Sequence, residues 1–199
     1  MDLPEQLVDL YKWFCSEQET AANCETRDVF AGRLSSFMTF SEKTSVPEDG
    51  VALLTAVIGE IGNNCFDHNL GQWKDVTGAN FIWGWNSVGF LWAAISDRGQ
   101  GLLNSLIRVQ PNLASSQEAI DFAFHQRISS RSNERRGNGL KFVRESVNKQ
   151  SGRGIYFQTN GANHEFGDFC DFARALKLNG GLKSDQGPHG TFSLIMWKA

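Results

Sequence analysis

Two strand-like runs, at residues 79–85 and 88–96, constrain the fold of this chain more than any other feature. Both runs are rich in aromatic and β-branched residues, and only Asn86 and Ser87 separate them. That composition favours strands, and a two-residue connection is typical of a β-hairpin. The second run contains the most apolar stretch of the chain, which is short enough to be a buried strand. We therefore predict a hairpin of two neighbouring strands.

A strong helix is predicted immediately before this hairpin. Ser45 and Glu48 fit the Ser-x-x-Glu capping box, and Pro47 is tolerated in a first helical turn. An apolar stripe at helical spacing follows, formed by Leu54, Ile58, Ile61 and Cys65. Residues 69–71 contain an Asn and a Gly, which are helix-stopping signals.

The remaining elements complete an α+β pattern. We predict helices at 3–21, 116–126 and 139–149, and late strands at 155–159 and 191–197. Residues 27–40 fit either a short helix or a strand, and residues 160–188 fit a helix only in part. This order predicts a two-layer sandwich with helices on one face of a mixed, mostly antiparallel sheet. Because residues 39–50 are polar and turn-rich, we predict an N-terminal helical extension at 1–45 and one domain at 46–199.

Composition excludes several classes of protein. No apolar run approaches the ~18–20 residues of a membrane span, and the acidic N-terminus does not have the layout of a signal peptide. A net charge of −3 argues against a sequence-independent nucleic-acid binder. The four cysteines show no CxxC spacing, so free thiols are expected rather than a zinc site. We predict a cytoplasmic protein with neither a membrane nor a nucleic acid as partner.

Glu60 and Asn64 form the first of four segments that could carry chemistry. They lie four residues apart on the strong helix and therefore share a face beside the apolar stripe. A carboxylate can act as general base toward a hydroxyl or a water. An amide oxygen one turn further is a hard ligand that suits Mg²⁺. A solvated polar helix face explains the same pattern.

The second and fourth segments are found where strands end or begin. Asp97 follows a strand and precedes Gly99 and Gly101, and Thr191 follows Gly190 at the start of the last strand. An aspartate at a strand end can accept a hydrogen bond from the amino group of a purine, and glycines allow a ligand to approach the backbone. Both segments are also ordinary turn sequences.

The third segment is a glycine loop that leads into a helix within the most basic part of the chain. It consists of Arg135, Arg136, Gly137, Asn138, Gly139, Leu140 and Lys141. Unpaired N–H groups at a helix start favour an anion such as phosphate. The segment is neither a Walker A loop nor a dinucleotide-binding fingerprint. A glycine loop with a solvated basic face remains the alternative.

The four segments together resemble the motif series of the GHKL ATPases, the superfamily of DNA gyrase B, the heat-shock chaperone ATPases, the histidine kinases and MutL. In order, these are E-x-x-x-N on a helix, D-x-G-x-G after a strand, G-x-G-L before a helix and G-T before the last strand. The likeness covers roughly residues 48–199. It is closer to stand-alone histidine-kinase-like ATPase domains, including anti-sigma-factor serine kinases, because Glu60, Asn64 and His68 reproduce their E-x-x-x-N-x-x-x-H box.

This resemblance implies the Bergerat ATP-binding fold and a site for ATP with Mg²⁺. Asn64 would coordinate the Mg²⁺, and Glu60 would act as the base or position the attacking group. Asp97 would recognise the adenine amino group, with Thr191 nearby through water. Gly99 and Gly101 would shape the adenine side of the pocket.

The resemblance also implies a mobile ATP lid over the phosphates. Residues 102–136 would form the lid, and the loop that closes it would comprise Arg136, Gly137, Asn138, Gly139, Leu140 and Lys141. The family's G-x-G-L-G ends in Lys141 here instead of glycine. The lysine either reaches a phosphate as a point charge or points into solvent. His68 is expected to be a structural residue rather than a catalyst.

Three functions compete for such a site. The first is a Mg·ATP-dependent protein kinase that phosphorylates a serine of an STAS-like or other partner protein in trans. The second is an ATP- or ADP-gated interaction switch with little turnover, and the third is a slow dimer-clamp ATPase. Autophosphorylation on a helical hairpin is not expected, because residues 1–45 contain no histidine. The N-terminal extension could support a homodimer or pack onto its own domain.

Overall fold

A computed structural model describes residues 4–15, 23–69, 78–86, 89–126, 139–168 and 190–198, without the side chains of residues 68 and 69. In chain order the elements are α1 (Glu5–Cys15), α2 (Arg27–Ser41), α3 (Glu48–Asn69), β1 (Asn80–Trp85), β2 (Phe90–Asp97), α4 (Gly101–Leu106), α5 (Ser116–His125), α6 (Gly139–Asn148), β3 (Arg153–Thr159), β4 (Ala162–Gly167) and β5 (Thr191–Lys198). No helix within these ranges combines the length and the apolar character needed to cross a membrane.

Within the described residues, five strands form one open antiparallel sheet in the order β1-β2-β5-β3-β4. The predicted pairing of two neighbouring strands is confirmed, because β1 and β2 pair with Asn80 opposite Ser96 and Trp85 opposite Leu91. The predicted two-residue connection is wrong, since residues 86–89 separate the two strands. β5 lies between β2 and β3, and this pairing places Thr191 opposite Asp97. The predicted α+β class, with helices packed against a mostly antiparallel sheet, is confirmed.

Most helices cover one face of the sheet and form the main core with it. Strand side chains alternate between faces, so the side chains of Leu91, Ala93 and Ile95 on β2 all point toward this core. α3 contributes its predicted stripe, in which Leu54 and Ile58 are fully buried. α2 adds Phe30 and Phe37 to the same core. The predicted domain boundary after residue 45 stays a prediction.

α1 packs against the opposite face of the sheet, which the sequence did not predict. Its buried side chains, spaced for one side of a helix, are Leu7, Leu10, Tyr11 and Phe14. They meet Trp92 and Ala94 of β2 in a second core, together with Tyr156, Phe192, Leu194 and Met196 from β3 and β5. The apolar side of α1 is thus used within its own domain.

Three local elements resolve or extend the sequence predictions. α2 is a helix rather than a strand, and the Thr26 hydroxyl caps it by accepting a hydrogen bond from the Val29 N–H at 3.3 Å. α4 and β4 were not predicted. The turn before β4 contains Asn160 and Gly161 with φ of +43° and +83°, the left-handed pair that a two-residue hairpin requires. The Asn160-Gly161 pair is a hairpin-turn sequence, so it could have predicted β4.

Candidate functional site

Asp97 and Thr191 meet at the adjoining ends of β2 and β5. The Thr191 hydroxyl donates a hydrogen bond to Asp97 Oδ2, and the Gly99 N–H donates to Oδ1 at 2.7 Å. Asp97 is only 2% exposed and lies on the side of the sheet that α3 covers. Two motifs that are 94 residues apart in sequence thus fix the orientation of one buried carboxylate. Such an acceptor suits a ligand that brings an N–H group.

Glycine backbone conformations hold the loops around this carboxylate. Gly190 has a φ of +99°, and a Cβ at this position would lie 2.1 Å from the Asp97 carbonyl oxygen. Gly101 has a φ of +74°, and a Cβ there would lie 2.4 Å from Asn160 Oδ1. An L side chain fits neither position, because the conformation is left-handed and the space is occupied. The close approach at Gly190 therefore sets the distance between the two strand ends.

Thr159 connects three segments of the same region and was missed by the sequence analysis. Its hydroxyl donates to the Gly190 carbonyl at 2.9 Å and accepts from the Leu102 N–H at 3.0 Å. The end of β3, the residue before Thr191 and the start of α4 are therefore joined through one buried side chain. Thr159 precedes the Asn-Gly turn, which places it at a strand end, but its partners are distant in sequence.

Glu60 and Gly139, from the first and third motifs, also come together. Glu60 is exposed on α3, and a Cβ at Gly139 would lie only 2.5 Å from Glu60 Oε2. The carboxylate therefore lies beside the first residue of α6. Asn64 is half-buried one turn further along α3. The helix that carries Glu60 and Asn64 therefore lies beside the start of the glycine-loop helix.

The structure describes only the last three residues of the glycine loop. Gly139, Leu140 and Lys141 form the half-buried first turn of α6. Lys141 Nζ lies 4.0 Å from Glu145 Oε1 one turn later, and this contact is compatible with either interpretation of the lysine. Arg136, Gly137 and Asn138 lie outside the described residues.

The predicted lid is wrong for residues 102–126, which form packed helices. Residues 102–126 contain α4 and α5, which bury Leu102, Leu106, Ile120 and Phe124 in the main core. These helices are packed scaffold rather than a mobile cover, because they contribute buried apolar side chains to the core. Residues 127–136 of the predicted lid, and the side chain of His68, lie outside the described residues.

Cys65 links α3 to the buried carboxylate, a role that its place in the apolar stripe did not reveal. The residue follows Asn64, is 5% exposed, and has its thiol 3.5 Å from the Ile61 carbonyl. Burial, together with the adjacent Asp97, raises the pKa of the Cys65 thiol well above its ordinary value of 9.0. The thiol therefore stays neutral beside the carboxylate.

Alkaline pH is expected to destabilise the fold partly through Cys65. The folded pKa is raised, so the unfolded chain loses this proton first and the free energy of unfolding falls as pH rises above 9.0. One such group contributes up to about 1.4 kcal/mol per pH unit. Urea unfolding of the native chain and of Cys65→Ser is compared at each pH. The difference in their free energies of unfolding isolates the effect of Cys65, because the other titrating groups contribute equally to both proteins. Equal alkaline slopes for both proteins would contradict it.

In the part of the chain that the structure describes, no three His, Cys, Asp or Glu side chains cluster to hold a metal ion. Mg²⁺ in phosphate sites needs only one or two protein oxygens besides the phosphates, and the Asn64 amide could supply one. The Asp97 carboxylate, buried at the strand ends, is the acceptor that the resemblance assigns to an adenine amino group.

Comparisons with known proteins add no identification. The chain matches no protein-family model, and a search of curated proteins returns no match.

Proposed function

We propose that this chain is a Mg²⁺-dependent ATP-binding domain of the GHKL type that phosphorylates a partner protein in trans. The observation that carries the proposal is the Asp97–Thr191 pair, buried beneath the helix that presents Glu60 and Asn64. Four short motifs, each common alone, converge in pairs at neighbouring parts of the fold. The α+β class, with helices packed against an antiparallel sheet, agrees with the fold class that the resemblance implies.

Each described residue has a role that follows from its position. The Asp97 carboxylate accepts the adenine amino group, and Thr191 and the Gly99 N–H hold that carboxylate in place. The first N–H groups of α6 would bind the phosphates, since a helix start carries partial positive charge. Mg²⁺ would neutralise phosphate charge, and the Asn64 amide would supply it with a protein oxygen.

Glu60 is the candidate general base. In the proposed reaction its carboxylate takes the proton of an acceptor hydroxyl while the acceptor oxygen bonds to the γ-phosphorus. The bond from the γ-phosphorus to the β–γ bridging oxygen breaks, and ADP leaves. Because Glu60 is exposed, an acceptor presented by another protein can reach it, which favours transfer in trans. Phosphoryl transfer depends mainly on positioning and charge neutralisation, so this small set of groups suffices.

Asp97→Asn tests the nucleotide site directly. The amide presents an N–H group where the adenine amino group needs an acceptor, so we expect ATP affinity to fall by about 5- to 150-fold, equivalent to about 1–3 kcal/mol. Calorimetric titration with Mg·ATP measures the change. Asp28→Asn, an exposed aspartate in the first turn of α2, is the matched control and should bind ATP normally. Unchanged affinity in a folded Asp97→Asn protein would remove the assignment.

The kinase and the interaction switch are separated by the fate of the γ-phosphate. Candidate partners are mixed with the protein and γ-labelled ATP, and label on a partner serine supports the kinase. Partner binding that depends on ATP and leaves no label supports the switch. Release of free phosphate without partner labelling supports the slow ATPase.

A further inference from the structure

α1 contacts the reverse side of the strand ends that carry the candidate site. Side chains alternate along a strand, so the residues next to Asp97 and Thr191 point to the opposite face. Asp97 and Thr191 face the main core, whereas their neighbours Arg98 and Phe192 contact residues of α1. The helix therefore lies directly behind the Asp97–Thr191 pair.

The first of these contacts involves Trp13 and Arg98. The Arg98 guanidinium carbon lies 4.2 Å from the centre of the Trp13 ring, a close cation–π arrangement. Partial burial lowers the pKa of Arg98, which agrees with its removal from bulk water at this contact. Arg98 follows Asp97 directly and precedes Gly99, whose N–H bonds the Asp97 carboxylate. Trp13 therefore restrains the short segment that orients Asp97.

The second contact holds the residue after Thr191. Phe192 is fully buried, with its ring centre 5.0 Å from that of Tyr11 in an edge-on arrangement and 5.7 Å from that of Phe14. Aromatic pairs at these distances favour defined geometries. The start of β5, and with it the Thr191 hydroxyl, is therefore positioned by α1.

The third contact is a buried hydrogen-bond network. The Tyr11 and Tyr156 hydroxyls each donate to Gln158 Oε1 at 3.0 Å. Gln158 precedes Thr159, which bonds the Gly190 carbonyl on the other side of the sheet. Tyr11 is thereby linked to the loop before Thr191 through two consecutive residues of β3.

We infer that α1 is a positioning element of the nucleotide site, with Trp13 and Tyr11 as its positioning residues. This inference rests on the proposed function. Docking of α1 and binding of ATP stabilise each other, because both require the same placement of the Asp97–Thr191 pair. Coupling of this kind is reciprocal, so loss of α1 contacts weakens ATP binding by the factor by which ATP strengthens α1 docking.

Cys15 provides a probe of α1 docking. It is the last residue of α1, its side chain is half-buried against the domain, and burial raises the pKa of its thiol. Alkylation by iodoacetamide, resolved by peptide mass spectrometry, reports how often α1 leaves the sheet. We expect saturating Mg·ATP to slow Cys15 alkylation in the native chain by about 2- to 30-fold, the range that corresponds to one cation–π contact.

Variants of α1 test the reciprocal effect on ATP binding. Trp13→Ala should weaken ATP binding by a similar factor and reduce the ATP-dependent protection of Cys15, whereas Trp13→Phe should restore part of both. Tyr11→Phe, which removes one hydroxyl and keeps the ring, should weaken ATP binding by a smaller factor. Lys12→Ala, on the exposed side of α1, is the matched control and should change neither.

The outcomes separate this inference from the proposed function. Absence of ATP binding to the native chain overturns the proposed function, and the inference with it. Tight ATP binding with unchanged Cys15 alkylation overturns the inference alone. ATP affinity that is unaffected in folded Trp13→Ala and Tyr11→Phe proteins also overturns it, because a helix that only stabilises the fold leaves affinity unchanged once folding is complete.

Discussion

Replacing Glu60 with glutamine is expected to slow phosphoryl transfer by about 10²- to 10⁴-fold, the range typical of a lost general base. Glutamine keeps the size and polarity of the side chain beside Gly139 but cannot take up the acceptor proton. ATP affinity should stay within about two-fold, since the proposed contact of Asp97 with adenine is untouched. The measurement is transfer of labelled γ-phosphate to a partner protein or to water, with affinity determined by calorimetry.

The matched control for this experiment is Glu48→Gln. Glu48 is exposed at the beginning of the same helix, twelve residues before Glu60, and should be dispensable for transfer. Glu60→Gln with full transfer activity would exclude Glu60 as the base. A Glu60→Gln protein that no longer binds ATP would instead show that the carboxylate supports the site structure beside α6.

Gly190→Ala is expected to reduce the free energy of unfolding by about 2–5 kcal/mol. Two costs combine: an L residue at a left-handed φ costs about 1–2 kcal/mol, and overpacking costs about 1–3 kcal/mol. The new Cβ would lie 2.1 Å from the Asp97 carbonyl oxygen, which is backbone and cannot move aside cheaply. Because the strand ends separate, ATP affinity should fall in the same variant. Urea unfolding followed by circular dichroism measures the stability.

Gly89→Ala isolates the steric part of this effect. Gly89 also has a left-handed φ, of +85°, but a Cβ there would meet nothing within 4 Å. We expect its substitution to cost only the conformational term, about 1–2 kcal/mol, and to leave ATP affinity unchanged. Equal losses of stability at Gly89 and Gly190 would mean that the close approach to Asp97 does not matter.

Local signals explain which elements the sequence could predict. The Asn86-Ser87 connection and the aromatic runs around it predicted the β1–β2 hairpin, and the stripe from Leu54 to Cys65 predicted α3. The Asn160-Gly161 pair could have predicted β4 in the same way, but the helical spacing of the apolar residues that follow competed with it. The spacing of apolar residues and the identity of turn residues are local properties, so they can be read from the sequence.

Placement on the sheet depends on partners that are distant in sequence. The helical spacing from Leu7 to Phe14 predicted a helix but not the face that it covers. One signal was available: residues 88–95 are apolar throughout, and a strand without alternation is buried on both faces. The roles of Thr159 and Cys65 at the site arise from contacts across the fold, so their local sequence carries no sign of them. The motifs could be recognised in the sequence. The contact between Asp97 and Thr191 could not, because it depends on how β5 pairs with β2.

The sheet order has a consequence for how the chain is made. β5 lies between β2 and β3, although it follows both of them along the polypeptide. During synthesis on the ribosome, β2 and β3 each emerge with an edge that stays unpaired until β5 has been made. Such exposed edges invite mispairing with other nascent chains, and long-range strand pairing is slow. The half-made chain is therefore the form of this protein that most needs a chaperone.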